Sequence, residues 1–344
     1  MRSQVVPAAV MAAGIAFALP AQSAPPANPK MQEVLDAHAS LKPKPITELS
    51  APEARKQPSP ADGVKALLKK KGMSTAPEAV GKVENRTIEG PAGNKIPVRI
   101  YWPKGEGPFP VVLYIHGGGW VIANLDTYDA SPRALANAAN AVVVSTHYRQ
   151  GPEHRFPAAH DDTFAAYQWV LKNGKSLKGN TERVAVVGES AGGNMALAVA
   201  LQARDKKVQM PSGLVLVYPV ASYDFETPSY QENADAKPLN RDMMKWFFKN
   251  YMKGPGDAKN PLLTPATNAD LKGMPPTTII TAQIDPLRSE GQALAEKMKA
   301  AGVQVDAKNY DGVTHEFFGM AAVVDEAKAA QQYAAAGLRR ALGS

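Results

Sequence analysis

The chain has 344 residues, 44% of them hydrophobic, a formal charge of +7 and no cysteine. That length carries one large domain or two modest ones around a substantial core, and the lack of cysteine excludes disulfides, thiolate catalysis and cysteine-held metal. A basic balance raises nucleic acid or anionic lipid as partners. Its densest run, Lys65 to Lys71 (KALLKKK), instead spaces its leucines as an amphipathic helix does and interleaves no aromatic for base stacking. No nucleic-acid partner is expected.

Residues 1–24 carry one charge, Arg2, followed by the apolar run Val5 to Leu19 and the small residues Ala21-Gln22-Ser23-Ala24. This reads as a cleaved secretory signal peptide. A span needs about 20 apolar residues; this run is shorter, with Pro7 inside and Pro20 at its end. No later segment is long and apolar enough, so no stable membrane span is expected, and the mature chain is expected in the periplasm or secreted.

Residues 25–81 are proline-rich (PPANPK, KPKP, APEARKQPSP), a linker with room for short helices such as Met31 to Ala39. From Lys82 onward β-branched runs alternate with helical periodicity. Strands are expected near 83–89, 96–102, 110–115, 141–146, 183–187, 213–218, 277–282 and 303–310. Helices are expected over Ser131 to Asn140, His160 to Leu171, Ala191 to Ala203 and Ser289 to Ala301. Such alternation implies an α/β fold: eight mostly parallel strands with helices on both faces. The rhythm breaks between Tyr218 and Thr277, where Tyr223, Phe225, Trp246, Phe247, Phe248 and Tyr251 point to an inserted helical element over 221–261. The core is then 82–220 and 262–344.

The stretch VVGESAGGN places Ser190 at a bend between an apolar run and an alanine-rich one. Gly188-x-Ser190-x-Gly192 suits a very tight strand-to-helix turn, with glycines removing Cβ clashes on either side. At a helix head the dipole and the Ala191 N–H favour a developing negative oxygen. The stretch has neither the lysine of a P-loop nor the GxGxxG spacing.

A serine hydroxyl needs a neighbouring base, usually histidine held by a carboxylate. In the chain order Ser, acid, His, the base follows the serine, and of six histidines only His315 lies downstream of Ser190. Asp285, directly after the apolar run TTIITAQI, is the best-placed acid; Asp311, in the loop expected to hold His315, is a rival. Donors for an oxyanion are expected from Gly117-Gly118-Gly119, which follow a strand abruptly in YIHGGGW.

Taken together IPVRIYWP, YIHGGGWV, HYRQGPEHRFPAAHDD, GESAGGN, VYPV, IDPLRSEG and THEFF resemble the hormone-sensitive-lipase-like (family IV, HGGG-type) carboxylesterases of the α/β hydrolase fold, in that family's order from about Ile96 onward. The resemblance implies Ser190 as nucleophile, His315 as general base and acid, and Asp285 as orienting carboxylate. It puts oxyanion donors on the N–H groups of Gly118, Gly119 and Ala191, and gives His116 the task of orienting the glycine loop. Gly117 and Glu189, adjoining these groups, are candidate supporting residues. It also implies a helical cap built from the N-terminal helices and the 221–261 insertion. Trp120 and the cap aromatics are candidates to line the substrate pocket. Four positions depart from the family's usual pattern: Glu189 for Asp, Glu316 for Gly, His147 for Asp and Ala123 for Gly.

The expected activity is ester hydrolysis through an acyl-serine, the resemblance implying a small-molecule ester of short to medium acyl chain, with no metal and no organic cofactor; no HExxH or similar spacing is present. The same machinery would serve an amide, a lactone or a polymeric ester. A ligand-binding protein on this fold, like the plant gibberellin receptors, is the reading from another class, and the presence of His315 speaks against it. A homodimer is the assembly considered.

Overall fold

The computed structural model describes residues 24–343, so the signal-peptide reading of 1–24 falls, but for Ala24, outside the described residues. Three N-terminal helices come first: α1 (Pro29–Ser40), α2 (Ala51–Ala54) and α3 (Pro60–Lys70). The proline-rich chain is thus more structured than a linker, because Pro29, Pro52 and Pro60 each sit in a helix's first turn, where the missing N–H costs nothing. Asn28 caps α1 through Met31 N–H at 2.8 Å, and Ser59 and Asp62 form a capping box on α3. Leu67 and Leu68 of α3 are buried while Lys65, Lys69, Lys70 and Lys71 face solvent, the solvated helix face expected for KALLKKK.

Next come β1 (Lys82–Glu89), β2 (Lys95–Trp102), β3 (Phe109–Ile115), α4 (Ala130–Ala138), β4 (Val142–Thr146), α5 (Ala158–Asn173), β5 (Gly179–Glu189), α6 (Ala191–Asp205) and β6 (Gly213–Val217). The interval before β7 (Thr277–Ile284) holds α7 (Pro228–Glu232), α8 (Arg241–Tyr251) and α9 (Pro265–Asn268). The chain closes with α10 (Arg288–Ala300), β8 (Val305–Thr314) and α11 (Asp325–Leu342).

All eight strands join one sheet in the order β1-β2-β4-β3-β5-β6-β7-β8. β1 and β2 run antiparallel to their neighbours and the rest pair in parallel. Alternate residues of each strand face opposite sides. Val111, Leu113, Val184, Val186, Leu214 and Leu216 face α5, α6 and α10, whereas Val112, Tyr114, Ala185, Val187, Val215 and Val217 face α4 and α11. Each of these valine and leucine side chains, fully buried, stabilises the fold by roughly 1.5–3 kcal/mol. No helix among the described residues is long and apolar enough to cross a membrane.

The largest departures from the expected limits are in β5, which starts at Gly179, and β8, which ends at Thr314. β8 is an edge strand whose residues 305–309 are at most half-buried, so the apolar signal fades where pairing continues. Asp311 therefore lies on the strand rather than in the histidine's loop; it is exposed and accepts from Asn309 Nδ2 at 2.8 Å.

Candidate active site

In a parallel sheet the loops at the carboxyl strand ends share one crevice. His116 follows β3, Ser190 follows β5, Asp285 follows β7 and His315 follows β8. Ser190 alone makes the turn from β5 to α6, at φ 57° and ψ −121°. Such a conformation is costly for a residue with a side chain, and the fold holds it by the Ser190 N–H donating to Val217 O at 2.9 Å. A Cβ at Gly188 would fall on the Gly192 carbonyl, and one at Gly192 on the Ile115 carbonyl. Glycine is required at both by the closeness of the backbones.

Ser190 Oγ lies 3.0 Å from His315 Nε2, and His315 Nδ1 lies 2.7 Å from Asp285 Oδ2. A carboxylate accepts only, so the Nδ1 side carries the proton and the Nε2 lone pair faces the serine hydroxyl. Asp285 is fixed in turn by the Leu287 N–H donating to Oδ1 at 2.8 Å. All three side chains are almost wholly buried. Burial presses the His315 pKa down, but the Asp285 carboxylate beside it, with smaller help from Glu316 and Glu189, outweighs this and leaves it raised. That is the direction a base needs.

His116 is driven the other way. Burial, with His147 adding repulsion, lowers its pKa to about 3. Its Nδ1–H donates to Gly117 O at 2.8 Å, leaving Nε2 to accept from His147 Nδ1 at 3.0 Å. Tyr148 Oη–H also donates to Gly117 O, at 2.8 Å. These bonds hold the carbonyl side of the loop, and among the described residues neither the Gly118 nor the Gly119 N–H meets a protein acceptor. Gly118 and Gly119 have φ of 94° and 56°. A Cβ on Gly119 would strike the ring of Phe247, on α8.

A cavity of about 960 Å³ opens over Ser190. Gly118, Gly119, His315 and Glu316 line its floor; Leu35, His38 and Ile46 from the N-terminal helices, with Leu239, Met244 and Phe247 from the insertion, line its walls. Trp120, expected as a lining residue, is not among them: it is fully buried. Its ring stacks on Tyr251 (centroids 5.0 Å apart) and tilts against Phe248 (5.3 Å), joining the glycine loop to α8. A residue directly after a left-handed loop turns inward under the insertion, which spacing alone does not reveal.

Glu189 is buried, with Tyr114 Oη donating to its Oε1 at 2.5 Å and Tyr218 Oη donating to its Oε2. The Tyr218 ring packs on that of His315, centroids 4.4 Å apart. Tyr128 Oη donates to Glu316 Oε1 at 2.5 Å, and that oxygen lies 3.8 Å from His315 Nε2. The three tyrosines were not singled out from sequence; Tyr218, in VYPV at the end of the sixth strand, was the one with a positional signal.

The profile of the α/β-hydrolase fold family matches residues 112–319. Carboxylesterase NlhH of Mycobacterium tuberculosis is 42% identical over 290 residues, covering 82% of this chain and 91% of that protein. Ethyl acetate hydrolase of Pseudomonas putida is 32% identical over 287 residues, covering 82% and 88%. A hyperthermophilic esterase from the archaeon Pyrobaculum calidifontis superposes with a TM-score of 0.82 at 35% identity, covering 92% of this chain and 98% of its own. With its sheet order, its strand-end serine and relatives along most of its length, the chain belongs to the α/β-hydrolase fold family, in the hormone-sensitive-lipase-like group that its HGGG and GESAGG stretches resemble.

Proposed function

We propose that the protein is a serine carboxylesterase, with Ser190 as nucleophile, His315 as general base and then acid, and Asp285 as the orienting carboxylate. The observation that carries this is the hydrogen-bonded chain from Ser190 Oγ through His315 to Asp285, at 3.0 and 2.7 Å, in a chain whose relatives are carboxylesterases and esterases.

His315 Nε2 takes the Ser190 proton as Oγ attacks the ester carbonyl carbon. The carbonyl oxygen becomes an oxyanion held by the N–H groups of Gly118, Gly119 and Ala191, each donor contributing about 2.7–4 kcal/mol to the transition state. Collapse expels the alcohol, which takes the proton from Nε2, and leaves an acyl-serine. Water, deprotonated by the same nitrogen, then attacks the acyl carbon, and Ser190 leaves with its proton restored. No metal or organic cofactor takes part.

A cavity of about 960 Å³ suits a small-molecule ester of short to medium acyl chain, with α1–α3 and the 221–261 segment acting as its cap. The apolar run Val5 to Leu19 supports export to the periplasm or medium. Light scattering of the purified protein would test for a homodimer. The decisive experiment is hydrolysis of p-nitrophenyl esters of increasing acyl length, with an anilide control, by the parent and by Ser190→Ala. A loss of about a million-fold in kcat is expected; an active Ser190→Ala would overturn the assignment.

A further inference from the structure

Besides Asp285, a second carboxylate faces the histidine. Glu316, at φ 70°, sits directly after His315 in the left-handed region, which turns its side chain back to the ring's other nitrogen. Its Oε1 stands 3.8 Å from Nε2, on the side of the ring that also faces Ser190 Oγ. Tyr128 holds it there through a 2.5 Å hydrogen bond. Its side chain is 20% exposed, and it lines the large cavity. Glu189 stands behind it: both carboxylates line a separate cavity of about 40 Å³ together with Tyr128 and Ser131. Resting on the serine-esterase reading, we propose that Glu316, backed by Glu189, is a positioning carboxylate for His315. It stabilises the imidazolium formed when Ser190 attacks and keeps Nε2–H at the cavity, where the leaving oxygen takes the proton.

The chemistry suits two carboxylates better than one. Asp285 touches only Nδ1, whereas the proton arriving in the reaction is on Nε2. A negative charge 3.8 Å from that nitrogen favours the charged ring. The charged and titratable groups facing Glu316 are His315, Tyr128, Asp285 and Glu189; Tyr114 and Tyr218 stand behind Glu189. Burial and then Glu316 push the Glu189 pKa to about 7; burial also raises that of Glu316, while the neighbouring His315 and the Tyr128 hydrogen bond act the other way and favour its ionised form.

The test is the pH profile of kcat/KM, whose acid limb reports the free-enzyme histidine. Glu316→Gln keeps an acceptor for Tyr128 and removes the charge; the acid limb is expected to move down by about 1 pH unit. Tyr128→Phe, which keeps the carboxyl but removes the bond favouring its ionised form, should shift the limb the same way and less. Should Glu316→Gln fail to fold, Tyr128→Phe carries the test alone. A purely packing role would lower the folded fraction and leave the limb in place. Acid limbs that superimpose on the parent's, with Ser190→Ala inactive, overturn this role alone. An active Ser190→Ala overturns the esterase reading and this role with it.

Discussion

The Asp285 carboxylate divides its two oxygens between His315 Nδ1, at 2.7 Å, and the Leu287 N–H, at 2.8 Å. The second bond belongs to the turn after β7, so the acid is anchored before it orients the histidine. Asp285→Asn can present its amide N–H to Nδ1 and so favour the wrong tautomer. A loss of about ten-thousand-fold in kcat is expected, while Asp311→Asn, on exposed β8, should leave kcat at the parent value. Steady-state kinetics of the two variants checks the choice of acid.

At the turn itself, Gly192→Ala places a methyl group on the Ile115 carbonyl. Both partners are backbone, so relief has to come from moving α6 or β3. Expected is a destabilisation of about 1–3 kcal/mol with activity lost beyond what the folded fraction explains, read by urea denaturation and burst titration of Ser190.

Trp120 acts under the insertion rather than in the pocket. Trp120→Ala should cost about 3–5 kcal/mol of stability, whereas Phe247→Ala, at the cavity wall, should chiefly change the acyl-length profile. The reverse pattern, measured by denaturation and by kcat/KM across a series of esters, would restore Trp120 as a substrate contact.

Acid sensitivity follows from two buried histidines. His160 accepts from Tyr251 Oη at Nδ1 (2.8 Å) and donates to Asn194 Oδ1 from Nε2 (3.0 Å), and burial lowers its pKa from 6.5 to about 4; His116 is lowered to about 3. Their folded pKa values lie below the unfolded one, so the unfolded chain binds protons that the native chain refuses. The stability they contribute is fully present above pH 6.5 and drains away as pH falls through about 4. His315, raised, contributes in the opposite sense. Denaturation midpoints should fall from pH 7 to 4.5, and His160→Gln should flatten that slope.

What could be read from sequence followed periodicity and chain order. Central strands such as TTIITAQI are buried on both faces and announce themselves, and His315 stood out because no other histidine follows Ser190. The helix α11 was not assigned: seven of its eighteen residues are alanine, and an alanine-lined face buried on the sheet gives little contrast to a helical wheel. Tyr128 was equally hidden, since it meets Glu316 across a long stretch of chain that no local spacing links. Trp120 was misjudged because the direction of a side chain leaving a left-handed loop depends on the segment that later folds over it.

The ring of Phe247 occupies the space a side chain would need at Gly119. The Phe247 wall of the pocket and the loop proposed to hold the oxyanion are therefore fitted to one another, and the segment carrying Phe247 is not a freely exchangeable module. Transplanting it from a relative to change substrate range would leave a gap or a clash at Gly119. Swaps that carry the 118–120 loop and α8 together should retain turnover where single swaps lose it.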